Sequence, residues 1–384
     1  MLIYLVGGAV RDALLGQPGS DRDWVVVGST PEDMVAAGFL PVGRDFPVFL
    51  HPATREEYAL ARTERKSAPG YRGFTVHASP EVTLEEDLAR RDLTINAIAV
   101  PQALADTDFA QDTGALVDPF HGQRDLQARV LRHVTDAFRE DPVRILRLAR
   151  FAARFADFAV APETMALMRA MVADGEVDAL VAERVWQEVA RGLIEATPSR
   201  MLDVLRASGA LARLLPEAPP GSDAHRTRVT DLAAQRGASL AIRFAVFMRS
   251  LGASAITDVC ERWRVPVEVR ALAEVVMREG DAIDGSDALG AAALIALLER
   301  CDAFRKPDRF VELLLACECE AQARDASSSA AYRPRARLQA ALHAARAVST
   351  ADVASAAQAR GKTGPAVGDA IRAARIEAVA GALG

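Results

Sequence analysis

The chain is poor in cysteine, with four among 384 residues, and none of the four belongs to a C-x-x-C pair. A disulfide-stapled scaffold is thereby excluded, a structural zinc site is not expected, and we expect reduced thiols in the cytoplasm. No apolar run approaches the roughly 18 residues that cross a bilayer, so a membrane protein is not expected. The apolar N-terminal run stops at Gly7-Gly8 with no basic segment before it, which predicts a strand and a turn rather than a signal peptide.

The chain has no excess of positive charge: 46 Lys and Arg stand against 52 Asp and Glu, which gives a net charge of −6. Hydrophobic residues make up 50% of the chain and charged residues 26%. This balance is typical of globular domains and argues against a protein that coats nucleic acid indiscriminately. Residues 331–384 depart from the average, since they carry eight Lys or Arg against three acids. A basic tail on an acidic body indicates a local contact with a polyanion, and a solvated helical surface is the alternative.

The first third of the chain predicts a mixed α/β head. Short apolar runs bounded by Gly or Asp predict strands, and two stretches between them predict helices, the second with Thr30 as its N-cap and Pro31 at its first position. Residues 94–100 fit either a helix end or a strand, and 65–73 predict a mobile loop. The predicted strands are 2–6, 24–28, 46–50 and 56–62, and the predicted helices are 9–15 and 31–37.

From Asp141 onward the strand signals almost vanish, and we expect an all-α remainder. Residues 142–155 form a strongly amphipathic pattern with Asp141 at its cap. Three consecutive serines at 327–329 predict a linker before a tail of two or three Ala-rich helices. The other predicted helices are 164–173, 180–195, 199–207, 239–250, 256–263, 266–278, 287–301 and 308–322.

Two motifs near the N-terminus suggest a phosphate beside a metal. Gly7-Gly8 leads from a strand into a helix, so that backbone N–H groups and Arg11 can approach a phosphate; alone, such a turn is usually only a turn. Asp21 and Asp23 alternate at the start of a strand, so both carboxylates point to one face and can converge on Mg²⁺. Their combination predicts a triphosphate next to one or two divalent metal ions.

A third motif combines cations with an acceptor. Arg90 and Arg91 stand next to Asp92, which suits a nucleotide because arginines bind phosphates and a carboxylate accepts from ribose hydroxyls. The alternative is an exposed charged turn, although the apolar segment that follows at once fixes this turn against a core.

The fourth motif opens the long amphipathic helix. Asp141 lies one turn before Arg144, and Arg147 shares the face of Arg144. A carboxylate beside a guanidinium matches the amino donor and ring-nitrogen acceptor of cytosine and of adenine, whereas uracil and guanine present the reverse order and would leave both protein groups unpaired. That Asp141 only caps the helix and the arginines face solvent is the alternative, and this segment alone does not decide.

Taken together, these residues resemble the bacterial class II tRNA nucleotidyltransferases, the CCA-adding enzymes. The likeness is nearly continuous over the first half of the chain and thins out afterwards. It is carried by LVGGAVRD (5–12), DRDWVVVG (21–28), VGRDFPVFL (42–50), EEYALARTERK (56–66), EEDLARRDLTINAIA (85–99), DPFHGQRDL (118–126), LRHV (131–134), FREDPVRILRLARFAARF (138–155) and AERVWQE (182–188).

The resemblance implies an α+β fold, in which a nucleotidyltransferase palm with a mixed or antiparallel sheet precedes an all-α neck, body and tail. The implied domains are the head (1–137), the neck with the base-recognition helix (138–200), the body (201–325) and a basic tail that contacts tRNA (326–384). It further implies template-independent addition of CCA to tRNA from CTP and ATP, with release of pyrophosphate, and contacts to the acceptor stem and elbow.

The resemblance also assigns roles to the site residues. Gly8 and Arg11 would hold the triphosphate, and Asp21 and Asp23 would carry catalytic Mg²⁺ in a two-metal mechanism. Arg91 and Asp92 would bind phosphate and ribose. Asp141 and Arg144 would template the incoming base, with Arg147 beside them. Glu57 is one candidate for a third carboxylate.

Several alternatives stay open from the sequence. Residues 62–73 resemble the flexible loop that complete CCA enzymes use when they switch from C to A, which favours full CCA addition over CC-only addition. A bacterial poly(A) polymerase shares the palm, and a non-catalytic RNA-binding relative or a small-molecule nucleotidyltransferase would also share parts of it. The intact aspartates and arginines, the helical half and the basic tail favour tRNA repair.

Some close relatives in this family carry a His-Asp phosphohydrolase domain in the later half. None of the six histidines here is followed by Asp, and residues 221–250 stand where such a core would be expected. We therefore expect purified protein to show neither phosphatase nor phosphodiesterase activity. A phosphate-release activity that is present in the wild type and disappears in His225→Ala would contradict this expectation.

Overall fold

The computed structural model describes residues 1–19, 21–42, 48–66, 74–219, 221, 223–324 and 331–383. They form two compact units: Met1–Gly192 with Arg200–Pro216, and Leu193–Ser199 with Glu217–Gly384. The four domains that the resemblance implies stay a prediction. The 327–329 linker, and residues 67–73 of the expected loop, lie outside the described residues.

A six-stranded mixed sheet forms the centre of the first unit, with strand order β3-β4-β5-β2-β1-β8. Only β2 and β5 pair in parallel; the other neighbours are antiparallel. This confirms the predicted α+β class with a mixed sheet. The strands are β1 (Leu2–Val6), β2 (Asp23–Val27), β3 (Leu40–Val42), β4 (Val48–Leu50), β5 (Glu57–Leu60) and β8 (Ala99–Pro101).

Elements around the sheet complete the head. An antiparallel hairpin pairs β6 with β7, so residues 65 and 66 belong to a strand and not to the predicted loop. The ambiguous stretch 94–100 contains both alternatives, a 3₁₀ turn over Thr94–Asn96 and then β8. These elements are β6 (Arg62–Lys66), β7 (Phe74–Ala78), β9 (Val130–Leu131), α1 (Gly8–Leu14), α2 (Pro31–Ala36), α3 (Leu84–Ala89) and α4 (Gly122–Ala128).

Local chemistry explains why these segments fold as they do. The β2 strand is buried along Trp24–Val26 because it lies inside the sheet with a neighbour on each side. Thr30 caps α2, as the sequence predicts, and the structure adds a reciprocal capping box with Asp33. A cluster that includes Val6, Val25 and Leu88 forms the apolar core on which α3 packs.

The helical part of the first unit begins with α5 (Val143–Arg154), the predicted amphipathic helix. Its apolar residues are buried, while arginines at 144, 147, 150 and 154 recur every three or four positions and so share one face. The elements that follow are β10 (Ala159–Val160), α6 (Pro162–Ala173), α7 (Ala182–Ile194), α8 (Pro198–Ser208) and α9 (Ala210–Leu214).

The second unit consists of helices throughout its described residues. The sequence pattern does not predict α10, whose polar residues obscure the helical period; it packs on α11 and α15. Arg226 on α10 is almost completely buried, donates to the Phe247 carbonyl and to Ser250 Oγ, and ties α10 to the end of α11. The neighbouring His225 ring contacts Glu320 Oε2 at 2.8 Å.

The helices of this unit are α10 (Asp223–Gln235), α11 (Leu240–Met248), α12 (Ala253–Arg262), α13 (Val267–Asp284), α14 (Ala291–Arg300), α15 (Pro307–Arg324), α16 (Arg333–Ala347), α17 (Thr350–Ala359) and α18 (Pro365–Leu383). The last three form the predicted Ala-rich tail, with α18 packed on α14, α16 and α17. Within the described ranges, no helix combines the length and the apolar character that a membrane span requires.

Gly122 offers a test of how α4 packs against the Thr94–Asn96 turn. A Cβ built on it would lie well inside van der Waals contact of the Thr94 carbonyl oxygen and too close to Ile98. We expect Gly122→Ala to destabilise the protein by about 1–3 kcal/mol through overpacking, and to displace the Thr94–Asn96 turn. Thermal unfolding measures the effect. Gly19→Ala is the control, since a Cβ there meets nothing within 4 Å; equal melting temperatures for the two variants would contradict this packing.

Candidate active site

A cavity of 610 Å³ lies in the first unit. The nine residues expected to bind the nucleotide or the metal all line it, although they come from four separate segments of the chain. Ten arginines and four aspartates face it, so the cavity is strongly positive and suits an anion. Its lining residues are Gly7, Gly8, Arg11, Asp21, Asp23, Arg62, Arg90, Arg91, Asp92, Asn96, Asp141, Arg144, Arg147, Arg150, Phe151, Arg154, Arg184 and Arg191.

The Gly7-Gly8 turn forms one edge of the cavity. Gly7 has φ 75° and ψ −133°, a conformation that L side chains rarely adopt, and α1 begins at the next residue. A Cβ on Gly7 would lie 3.3 Å from Nη1 of Arg91 and 3.9 Å from Oδ2 of Asp23. A glycine is therefore needed here for the turn, and a Cβ would also crowd Nη1 of Arg91.

The two aspartates stand at the start of β2. Asp23 is the first residue of the strand and is in register with Glu57 on the parallel strand β5, whereas Asp21 precedes the strand. Burial raises the pKa of Asp23, Arg91 opposes this shift, and the charges of Glu57 and Asp21 raise the pKa further. Glu57 is thus a neighbour of Asp23, as the sequence suggests, but it does not line the cavity.

Asp21 and Asp23 could supply some, but not all, of the ligands that a hard cation such as Mg²⁺ requires. No group of three or more His, Cys, Asp or Glu side chains among the described residues is gathered closely enough to hold a metal ion. Two carboxylates are, however, what Mg²⁺ commonly takes from a protein when substrate phosphates and waters supply the remaining ligands. The donor set at Asp21 and Asp23 is compatible with such an ion.

A buried carboxylate anchors the two adjacent arginines. Asp87, which is fully buried, accepts from Nη2 of Arg90 at 2.7 Å and from Nη2 of Arg91 at 3.3 Å. Burial alone would raise the pKa of Asp87, but the two guanidinium groups outweigh it and hold the pKa below its usual value. Nε of Arg91 is buried and has no hydrogen-bond partner among the described residues.

Arg11 is almost completely buried at the back of the cavity. Its Nε donates to Asp12 Oδ1 at 2.8 Å and its Nη1 to Asn96 Oδ1 at 2.6 Å. The guanidinium carbon also lies 5.1 Å and 5.2 Å from the ring centroids of Phe151 and Phe155. Burial lowers the pKa of Arg11, and Asp12 offsets part of that shift.

Asp92 is occupied by protein groups on both oxygens. Oδ1 accepts from the Leu93 amide and from Asn96, at 2.9 Å and 3.0 Å. Oδ2 accepts from Nε of Arg147 at 2.9 Å and lies 2.8 Å from Nη2 of the same ion pair. Burial would raise the pKa of Asp92, but Arg147 and Asn96 hold it well below its ordinary value. The ribose contact that the resemblance implies stays a prediction.

The pair at the start of α5 is also engaged. Asp141 Oδ1 accepts from the Val143 amide at 3.1 Å. The sequence predicts Asp141 at the cap of α5, but the N-cap is Pro142, so Asp141 lies one residue before the cap position. Nη1 of Arg144 donates to the Ala137 carbonyl at 2.8 Å, and Nη2 donates to the Arg90 carbonyl at 2.6 Å. Arg144 is buried rather than solvated, so the view that these arginines simply face solvent is wrong for Arg144.

Sequence reasoning assigned no role to two residues on α7. Arg184 donates to both oxygens of Asp141, at 3.0 Å and 2.6 Å. Glu188 is buried and accepts from Nε of Arg150 at 2.7 Å, with Nη1 of Arg147 at 3.8 Å. Both lie in the segment 182–188, which carries part of the resemblance, and this was the one feature of the sequence that could have pointed to them.

Two family models match the chain. Residues 3–132 match the family described as the poly A polymerase head domain, and residues 157–220 match the family described as a probable RNA and SrmB-binding site of polymerase A. The first match covers the sheet and the aspartates. The second begins just after α5 and ends near the last residue of the first unit.

Curated relatives and solved structures agree with these matches. The multifunctional CCA protein of Variovorax paradoxus (strain S110) is 61% identical, with 99% of each chain covered, and that of Cupriavidus necator is 55% identical over the full length of both. The CCA-adding enzyme of Bacillus stearothermophilus in complex with CTP is 25% identical, with a TM-score of 0.70 over 99% of this chain and 89% of that one. The apo form II of a CCA-adding enzyme has a TM-score of 0.72 at 21% identity, over 99% and 88% of the chains, and supports the fold.

Asp87 gives a test of the electrostatic support of this cavity. We expect Asp87→Asn to lower the free energy of unfolding by about 2–3 kcal/mol, because the variant removes a buried charge that two arginines share. Urea denaturation measures the loss. Since the pKa of Asp87 is depressed in the folded state, its contribution is complete at pH 7 and fades only as the pH falls below about 4.

Asp106 provides the control for this measurement. It pairs with Arg22 at 2.7 Å but is 84% exposed, so Asp106→Asn should change the free energy of unfolding by less than about 1 kcal/mol. A loss for Asp87→Asn that is no larger than the loss for Asp106→Asn would show that the cavity does not depend on the buried carboxylate.

Proposed function

The chain belongs to the bacterial family of CCA-adding enzymes, and we propose that it adds the 3′-terminal CCA to tRNA in the cavity described above. One observation carries the assignment of the site: nine residues from four distant segments face one arginine-rich cavity. Asp23 of β2 and Asp21, just before the strand, stand at this cavity together with Arg91. A nucleoside triphosphate needs such an arrangement of cations beside carboxylates.

We infer that Arg11, Arg91 and the Gly7-Gly8 turn hold the triphosphate. The unpartnered, buried Nε of Arg91 supports this, because a buried donor without a partner is costly unless a ligand completes it. The 3′-hydroxyl of the RNA loses its proton to solvent as its oxygen forms a bond to the α-phosphorus, and the bond from that phosphorus to the pyrophosphate breaks. The arginines stabilise the negative charge that the leaving pyrophosphate carries.

Asp21 and Asp23 are the residues that would hold Mg²⁺. When bound there, the metal would act as a Lewis acid that stabilises charge on the attacking and leaving oxygens, and a pair of ions is the arrangement that the resemblance implies. The chain's own contribution is to keep both carboxylates at the edge of the cavity. β2 fixes Asp23 between β1 and β5, with Glu57 alongside it.

Asp141 and Arg144 are proposed to read the base, with Arg147 beside them. An acceptor and a donor in that order fit cytosine and adenine and leave uracil and guanine unmatched. In this structure Arg144 donates to two backbone carbonyls. A guanidinium has five N–H donors, so these two bonds fix its position without by themselves preventing a contact with a base. Asp92, which holds Arg147, supports that side of the site.

The RNA contact is proposed for the helical regions and the tail, in line with acceptor-stem and elbow binding. Several tail arginines pair with protein groups: Arg335 with Glu318 and Arg372 with Glu299. Others are exposed, namely Arg333, Arg346, Arg360 and Lys362, and we infer that these contact the polyanion. A tRNA substrate and four buried thiols are compatible with the cytoplasm.

The metal assignment is tested by Asp21→Ala. We expect this variant to lose at least about 10³-fold in the rate of nucleotide addition, because its carboxylate would hold the Mg²⁺ that stabilises charge on the reacting phosphate. Its binding of tRNA should stay almost as in the wild type. Primer extension on tRNA that lacks its last three nucleotides, together with a filter-binding assay, measures both properties. Asp108→Ala is the control, since Asp108 is exposed and does not line the cavity. Retained addition in Asp21→Ala would refute the assignment.

Product length separates the related activities. With CTP and ATP together we expect three added nucleotides on the truncated tRNA, and with ATP alone one nucleotide on tRNA that already ends in CC. A long ladder with ATP alone would indicate a poly(A) polymerase, and two additions with no terminal A would indicate a CC-only enzyme. Each triphosphate is supplied separately and in combination, and the products are read at single-nucleotide resolution.

A further inference from the structure

We propose that Arg184 is a positioning residue for base selection, which orients the Asp141 carboxylate toward the incoming base. This inference rests on the proposed function, because it assumes that Asp141 reads the base. It extends that function to a residue on α7, outside the pair Asp141 and Arg144 that is proposed to read the base.

The first observation is the geometry of the pair. Nη1 of Arg184 donates to Asp141 Oδ1 at 3.0 Å, and Nη2 donates to Oδ2 at 2.6 Å. Two parallel bonds between a planar fork and a carboxylate fix the plane of the carboxylate as well as its position. Asp141 retains 19% and Arg184 28% side-chain exposure, and both line the cavity, so the pair lies at its surface.

The second observation concerns the acceptor positions of Asp141. Each carboxylate oxygen has two lone pairs. Oδ1 accepts from Arg184 and from the Val143 amide, so both of its positions are in use. Among the described residues, Oδ2 accepts from Arg184 alone. One acceptor position therefore remains, and its direction is set by Arg184.

One oriented acceptor position is what discrimination between bases requires. The amino group of cytosine or adenine donates to it, whereas the carbonyl oxygen of uracil or guanine brings a second lone pair against it. A carboxylate that is free to rotate could turn this edge away or accept a bridging water, and the mismatch would then cost less. Loss of Arg184 should for this reason affect the choice of base as well as the rate.

A purely structural role for Arg184 is the competing explanation, but α7 has other anchors in the first unit. Val185 and Val189 are buried, and Glu188 binds Arg150 at 2.7 Å. These contacts fix the helix on the same stretch of chain. Arg184 is more exposed than any of them, as expected of a side chain that serves the cavity.

The test measures single-nucleotide incorporation of CTP and of UTP into tRNA that lacks its last three nucleotides, in wild type, Arg184→Gln and Arg184→Lys. For Arg184→Gln we expect kcat/KM for CTP to fall about 10- to 100-fold, since a misplaced reading group is costly. The ratio of kcat/KM for CTP to that for UTP should fall about tenfold. Arg184→Lys should lie between, because lysine offers a point charge in place of a fork.

Arg191→Gln is the matched control. Arg191 lies seven residues farther along α7, two helical turns away on the same face, and it also lines the cavity. Its loss removes the same charge, so it should lower the use of CTP and UTP alike and leave their ratio unchanged. Thermal unfolding of every variant separates a loss of folding from a changed choice between CTP and UTP. If Arg184→Gln does not fold, Arg184→Lys still tests the inference.

Asp141→Asn separates the two levels of the proposal. If this variant keeps the wild-type CTP to UTP ratio, Asp141 does not read the base and the proposed function of the pair fails. If it loses the ratio while folded Arg184→Gln and Arg184→Lys both keep it, Asp141 reads the base without help and only the inference about Arg184 is overturned. A fall in the ratio for Asp141→Asn and Arg184→Gln, but not for Arg191→Gln, supports the inference.

Discussion

Buried carboxylates make the cavity possible. Ten arginines around one space would repel one another and, with their water removed, would be costly to fold. Four carboxylates without appreciable exposure oppose that cost: Asp12 binds Arg11 and Arg154, Asp87 binds Arg90 and Arg91, Asp92 binds Arg147, and Glu188 binds Arg150. The arginines are thereby fixed before any substrate arrives, so that less ordering is needed when a triphosphate binds.

Much of this fold follows from local patterns in the sequence. The apolar run of β1, the N-cap at Thr30 and the amphipathic period of α5 depend on residues within a few positions of one another, and the structure confirms all three. Predictions were weaker where local chemistry is ambiguous. The polar α10 hides its period, and residues 94–100 contain a 3₁₀ turn and a strand in succession.

The candidate site also has a part that local sequence predicts and a part that it does not. Residues that would touch the nucleotide stand in short motifs, and their residue types alone point to phosphate, metal and base. The contacts that support them could not be predicted, because the paired residues are far apart along the chain: Arg154 and Asp12 are separated by 142 positions, Arg147 and Asp92 by 55, and Arg184 and Asp141 by 43. Such pairs depend on the packing of α5 and α7 against the head.

The central claim is that the side chains at the start of α5 identify the incoming base without a nucleic-acid template. A crystal structure of the protein with bound CTP tests it most directly. We expect the cytosine amino group within hydrogen-bonding distance of an Asp141 carboxylate oxygen, the ring beside Arg144, and the triphosphate between Arg11 and Arg91. A cytosine bound away from Asp141 and Arg144, with the triphosphate still in the cavity, would contradict the account.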